Sequence, residues 1–177
     1  GNFRHTFQKP EHFFEIDYNF NENDNFFPAT DSREGVFLQD ENYNYDNTLQ
    51  ALSFDYTNPV NQYTTLESGM SWNHRKLVSA FDFEDARQEI DQTFNYNEDI
   101  FAVYTLLKSS IKRGGSDKAL FNWQAGLRLE KFQSGSVNSS DNEKLGREFL
   151  NMFPSVHVTY QNTDNSSLTL GYSRRVS

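Results

Sequence analysis

The sequence predicts an all-β chain, an antiparallel up-and-down meander of about seven or eight strands that forms part of a larger transmembrane β-barrel. Three observations lead there. Several stretches alternate apolar and polar residues, no helical stretch is available to cover their apolar side, and the connections between them alternate long and short. The best-formed signal is Phe94 to Glu130. Glu98 to Ile111 is rich in β-branched, aromatic and long apolar residues, and Lys112 to Lys118 is a polar turn centred on Gly114-Gly115. From Leu120, Phe121, Trp123, Ala125, Leu127 and Leu129 share one parity, while Asn122, Gln124, Gly126, Arg128 and Glu130 share the other. Successive strand side chains point to opposite faces, so this strand has one apolar and one polar side. An exterior in lipid and an interior in water satisfy that pattern without a second layer. Both parities of Glu98–Ile111 are largely apolar, so the pattern leaves that strand unoriented.

Composition narrows the class. The chain has 177 residues, enough for one domain, with 36% hydrophobic and 16% aromatic residues, including 17 Phe and 9 Tyr. Disordered chains are poor in aromatics, so the low aliphatic content does not mean disorder. Mean hydropathy of -0.80 and the lack of a long apolar run exclude a helical membrane protein but not a barrel. A net charge of -9 argues against nucleic acid as a partner. There is no cysteine for a disulfide or a thiolate metal site. The chain opens and closes in what reads as strand sequence, so residues 1–177 are expected to be one partial barrel segment.

The remaining elements follow in order. Phe3–Gln8 is a short strand closed by Lys9-Pro10-Glu11. In the next stretch His12, Phe14, Ile16, Tyr18 and Phe20 alternate with Phe13, Glu15, Asp17 and Asn19. Asn21–Thr48 reads as a long acidic loop, with Pro28 and Gly35 as breakers. Leu49–Tyr56 resumes the alternation, and Thr57–Asn61 reads as a turn. Leu66, Met70 and Trp72 oppose Glu67, Ser71 and Asn73 on a strand running towards Phe83, and Glu84–Gln92 is a polar connection. Gln133–Arg147 reads as a second long loop. Val156, Val158 and Tyr160 then form a strand, Asn162–Ser166 a turn, and Leu168, Leu170 and Tyr172 a last strand. Short turns near Asn58, Gly114 and Asn165 are expected at one end of the sheet and the long loops at the other, the asymmetry of bacterial outer-membrane barrels.

At several of these places the sequence resembles a known family. Asp55-Tyr56-Thr57 with Pro59, Leu66-Glu67 with Gly69, and Tyr96-Asn97-Glu98-Asp99-Ile100-Phe101-Ala102-Val103-Tyr104 are similar to segments of a TonB-dependent-receptor-like outer-membrane β-barrel family of Bacteroidetes. So are Ala125-Gly126-Leu127-Arg128-Leu129-Glu130, Phe153-Pro154-Ser155 and Tyr172-Ser173-Arg174-Arg175-Val176. The resemblance implies a bacterial outer-membrane location and lipid as a partner. It also implies TonB, contacted through an upstream segment that follows neither from these residues nor from their spacing, together with a surface lipoprotein and a small-molecule, glycan or peptide ligand as further partners. The plug would lie upstream as well.

Candidate residues fall into three groups. Glu15, Asp17, Glu67, Gln124, Arg128 and Glu130 would line the lumen; pairing with a plug or neighbouring strand is the plainer role for them. Tyr18, Phe20, Trp72, Tyr104, Trp123, Tyr160 and Tyr172 would form aromatic girdles at the membrane interfaces, or the core of a sandwich if the chain were soluble. Asp40, Asn42, Asn44 and Asp46, spaced two apart in the acidic loop, have hard-cation ligand chemistry and would take calcium, but Tyr45 stands where a calcium loop of the EF-hand type needs glycine. The alternating Asn/Tyr pattern reads equally well as a loop-strand edge. No catalytic constellation appears, and the four histidines lack ligand spacing. No cofactor is expected beyond that calcium. The functional expectation is the barrel of a TonB-dependent importer whose loops capture ligand. The alternatives are a soluble β-sandwich binding module and an outer-membrane scaffold barrel that does not transport.

Overall fold

In the computed structural model all residues are described except 34–35, 86–88, 113–118, 140–143, 164–165 and 175–177, with side chains at 33, 36–38, 119 and 162–163 also left aside. The described chain is one sheet of eight antiparallel strands in sequence order. They are β1 (Asn2–Thr6), β2 (Phe13–Arg33), β3 (Val36–Asn61), β4 (Thr64–Asp85), β5 (Glu89–Lys112), β6 (Ala119–Asn138), β7 (Lys144–Thr163) and β8 (Ser166–Ser173). No second sheet packs on it among the described residues, so the chain is not a sandwich. Ala102 is the one hydrophobic residue buried among those described. The exposed surface is 12662 Å², where a globular chain of this mass would leave about 8,900 Å².

One face that the sheet leaves open is predominantly apolar. Cross-strand partners share a face, so the register carries the assignment from strand to strand. On one face lie Phe14, Ile16, Tyr18 and Phe20 of β2, Leu52 and Phe54 of β3, and Leu66, Met70 and Trp72 of β4. The same face continues through Phe101, Val103 and Ile111 of β5, Phe121, Trp123, Leu127 and Leu129 of β6, Met152, Val156 and Tyr160 of β7, and Leu168, Leu170 and Tyr172 of β8. Along β5 the band runs from Phe101 to Ile111. At the strand rise this is about 34 Å, or about 24 Å across a bilayer at a 45° tilt, close to the apolar height of outer-membrane barrels.

The strands are far longer than this band. β3 has 26 residues and β5 has 24, where a tilted crossing needs roughly 9–11. The surplus lies at one end. There the expected acidic loop is corrected: among the described residues Asn21–Arg33 and Val36–Thr48 pair as a β2–β3 ladder, from Asn21↔Leu49 to Arg33↔Val36, with a register shift between Asp31 and Ser32. Pro28 does not break it. Tyr18 turns its N–H towards Gly1, and Pro28, of the same parity, has its missing donor on the side away from β3, where no described strand pairs. The expected connection Glu84–Gln92 and loop Gln133–Arg147 are likewise mostly strand, with Glu84↔Glu89 and Val137↔Lys144 the last described pairs.

At the near end the turns are short. The turn expected at Asn58 falls at Gln62-Tyr63, because Thr57, Asn58, Pro59 and Asn61 all pair with β4 and a register shift between Pro59 and Asn61 absorbs the proline. β1 ends at Thr6 rather than Gln8, and Glu11 closes its turn with a φ of 59°. The turns expected at Gly114 and Asn165 lie outside the described residues, but their flanking strands end here too. The meander therefore keeps its short turns at one end and its long extensions at the other.

Candidate functional site

The face opposite the apolar band is polar and organised in rows. One row crosses seven strands: Arg4↔Glu15↔Asp55↔Gly69↔Tyr104↔Arg128↔Phe153. Beside it run Asn2↔Asp17↔Ser53↔Ser71↔Ala102↔Glu130↔Asn151 on one side and Phe13↔Thr57↔Glu67↔Leu106↔Gly126↔Ser155↔Ser173 on the other. The rows bring Glu15, Asp17, Glu67, Arg128 and Glu130 onto one surface, and Gln124, between Lys108 and His157, shares it. The rows also orient β5. Its polar-side Ala102 and Leu106 sit opposite Ser71 and Gly126, where short neighbours leave room for them.

The charges on this face find partners within it. The Asn2 amide donates to Glu15 at 2.6 Å and to Asp17 at 2.7 Å. The Arg4 guanidinium lies 3.7 Å from the centre of the Phe13 ring and 3.9 Å from Glu15. Lys108 Nζ meets Glu67 Oε1 at 2.6 Å, and Arg128 donates to Glu130 Oε2 at 3.0 Å. The Tyr104 hydroxyl donates to the Asp55 carboxylate across β4. That reach is open only because Gly69 has no side chain: a Cβ there would lie 2.6 Å from Tyr104 Cε1 and 2.7 Å from Asp55 Oδ1. The resemblance segments containing Asp55, Gly69, Tyr104 and Arg128, far apart in sequence, thus meet in one row.

Two expectations need correction. Tyr104 does not stand with the other six aromatics. Tyr18, Phe20, Trp72, Trp123, Tyr160 and Tyr172 share the apolar face, whereas the register puts Tyr104 with Gly69 and Arg128 on the polar one, where its hydroxyl donates to Asp55. Asp40, Asn42, Asn44 and Asp46 stand on β3, paired to both neighbours. Alternate residues of a strand are about 7 Å apart, so the four extend over about 20 Å and do not converge on one calcium ion. No group of acids and histidines fit for a metal occurs among the described residues.

The sequence reading passed over Asp55, Lys108 and Arg4. Asp55 had a signal, because it opposes Phe54 and Tyr56 in parity. It also passed over the polar edge of the apolar band. There Trp72 Nε1 donates to Asp99 Oδ1 at 2.9 Å, His74 Nδ1 lies 3.0 Å from the same oxygen, and the Trp72 and Phe101 rings stack at 6.2 Å. Lys131 meets Glu148 at 2.8 Å at the same level. An indole with its body on apolar surface and its N–H on a carboxylate suits an interface between apolar and aqueous phases.

The sequence matches the outer membrane protein beta-barrel family over residues 5–177. Among solved structures, it is similar to the unliganded form of the ferric citrate transporter FecA, with a TM-score of 0.64 and 13% identity. The match covers 92% of this chain but spans only 24% of that one, and at this identity it speaks for the fold alone. No curated protein matches.

Proposed function

The chain belongs to the outer membrane protein beta-barrel family, and from that we propose that it is one wall of a TonB-dependent importer. Membership makes it an outer-membrane, non-catalytic barrel protein; import is the finer reading. The observation that carries it is the pairing of a predominantly apolar band of bilayer height with a polar face whose charges are arranged in rows. On this reading Tyr18, Phe20, Trp72, Trp123, Tyr160 and Tyr172 meet lipid and its interfaces. Glu15, Asp17, Glu67, Gln124, Arg128 and Glu130 line the lumen together with Asp55, Tyr104 and Lys108. The short turns face the periplasm and the extensions the medium, where they capture ligand with or without a surface lipoprotein. TonB would act through a segment outside these residues. Similarity to a transporter fold supports the reading.

The test is uptake by cells producing the full-length protein, with and without TonB. Accumulation of ligand that requires TonB and the proton gradient is expected. Uptake unaffected by loss of TonB, or a protein that binds at the surface and never imports, would leave a scaffold or receptor barrel instead.

A further inference from the structure

Beyond the apolar band the two faces exchange character. The parity that carries Phe54, Trp72 and Phe101 within the band carries Asp46, Asp40, Asp82, Glu84, Glu89 and Asp91 above it. The parity that carries Asp55, Tyr104 and Arg128 within the band gathers aromatic rings above it on β5, β6 and β7, beside Arg75 and Glu98. On that inner side Phe132 pairs with Phe149, with rings stacked at 5.8 Å and 28°. Phe94 and Tyr96 stand on the adjacent strand opposite Asn138 and Ser136. Phe149 is 50% exposed and Phe94 40%, and the four rings with Ser134 and Ser136 line a shallow groove.

We propose that this inner wall of the extensions binds a neutral oligosaccharide. The inference rests on the importer reading only in placing this side towards the vestibule. Charge complementarity decides the ligand class. The local charges are largely satisfied within the wall: Glu98 accepts from the Tyr96 hydroxyl at 2.6 Å, and Arg75 donates to Asn47 at 3.2 Å. Arg147 is the one cationic side chain lining the groove among the described residues, too little for a polyanionic chelate, which needs several converging cations. No carboxylate lines the groove among the described residues, so a cationic ligand gains nothing there. A peptide taken up by strand addition needs a free strand edge, and this surface offers the flat of the sheet. What remains is a ligand with flat C–H faces to lie on rings and uncharged hydroxyls to meet serines and side-chain amides, which is the chemistry of a sugar chain.

The experiment uses full-length protein in detergent, probed with an array of neutral linear six-residue glucans, xylans and mannans, and titrated by calorimetry against whichever binds. Ferric citrate is the charged comparison. Saturable binding of a neutral oligosaccharide is expected. Phe94→Ala and Phe149→Ala should each weaken it about tenfold, a factor corresponding to 1.4 kcal/mol, while Glu148→Gln on the opposite face leaves it unchanged. If either alanine variant fails to fold, Phe94→Leu and Phe149→Leu keep the bulk, lose the ring and should still weaken binding. The proposal is overturned if no neutral oligosaccharide binds, if binding ignores the ring variants, or if ferric citrate binds here instead. It is equally overturned if the variants lower only thermal stability, the mark of a wall packed against the rest of the barrel. Binding without TonB-dependent uptake would refute the importer and not the wall; uptake of a ligand that never touches the wall would refute the wall alone.

Discussion

Replacing Gly69 by alanine should be among the most damaging single-methyl changes in the sheet. A Cβ at this position would stand 2.6 Å from the Phe54 carbonyl oxygen, 2.6 Å from Tyr104 Cε1 and 2.7 Å from Asp55 Oδ1. The first of these is backbone and cannot swing away. Forcing a methyl into packed surroundings costs about 1–3 kcal/mol. Displacing Tyr104 also weakens its hydrogen bond to a carboxylate, a class of interaction worth about 1.5–3 kcal/mol. Against this, alanine in a strand gains about 0.5–1 kcal/mol over glycine. The net expectation is a loss of about 2–4 kcal/mol, read as a lower midpoint of urea unfolding for the full-length protein in micelles. Gly135 is the internal control. There the nearest atom, the Leu145 carbonyl oxygen, is 4.0 Å from an added Cβ, so Gly135→Ala should be neutral or slightly stabilising. In a Tyr104→Ala background the Gly69→Ala penalty should shrink by at least about 1 kcal/mol, the ring contact being gone. Equal midpoints for Gly69→Ala and Gly135→Ala would refute the account of why Asp55, Gly69 and Tyr104 share a row.

The proposed orientation can be read by single-cysteine labelling, for which the absence of native cysteine in these residues is convenient. Arg128→Cys and Gln124→Cys should react with a water-soluble maleimide, whereas probes at Leu129→Cys and Leu127→Cys should be quenched by bilayer-borne nitroxides; the reverse pattern would turn the sheet inside out. The tip of the β4–β5 hairpin should respond to acid. Desolvation and the neighbouring Asp91 and Glu89 carboxylates push Asp82 above the ordinary carboxylate value. A raised folded-state pKa adds stability at low pH that is lost as pH rises through it. Asp82→Asn should therefore increase protease resistance of this hairpin at pH 7 and make no difference at pH 4. The Lys131–Glu148 pair should behave oppositely. The Lys131 hydrogen bond holds Glu148 below its ordinary value, so its contribution is present at neutral pH and lost on acidification, which Lys131→Met should abolish in the same protease assay.

Within the bilayer-height band the sequence was easy to read, and above it was misread. On β2, β4, β6, β7 and β8 one parity is apolar and the other polar, so Glu15, Asp17, Glu67, Gln124, Arg128 and Glu130 could be grouped from residue type alone. β5 resisted because Ala102, Tyr104 and Leu106 fill space over Ser71, Gly69 and Gly126, and such packing on neighbouring strands leaves no trace in one strand's own pattern. The extensions were misread as loops because Asn and Asp are poor strand formers. Their alternation was nevertheless present: Tyr43 and Tyr45 interleave with Asn42, Asn44 and Asp46. What hid it was a reversal of sense, acids taking the side that carried apolar groups a few residues earlier. The ladder itself, extended pair by pair from the band, supplies the order that local propensity withholds.

That reversal also makes the fold vectorial. Carboxylates follow the band on the same parity, among them the six of Glu22, Asp24, Asp40, Asp46, Glu84 and Asp91. An ionised acid at the centre of a bilayer costs roughly 2.5–3.5 kcal/mol, so drawing six into hydrocarbon would demand roughly 15–20 kcal/mol, more than the whole stability of an ordinary domain. A wall that slipped towards the short-turn side would meet that barrier at once. The same barrier stands in the way during biogenesis, so the extensions should not cross bare lipid and need a hydrated route to the far side. Once there, the acids hold the wall against slipping back through the bilayer.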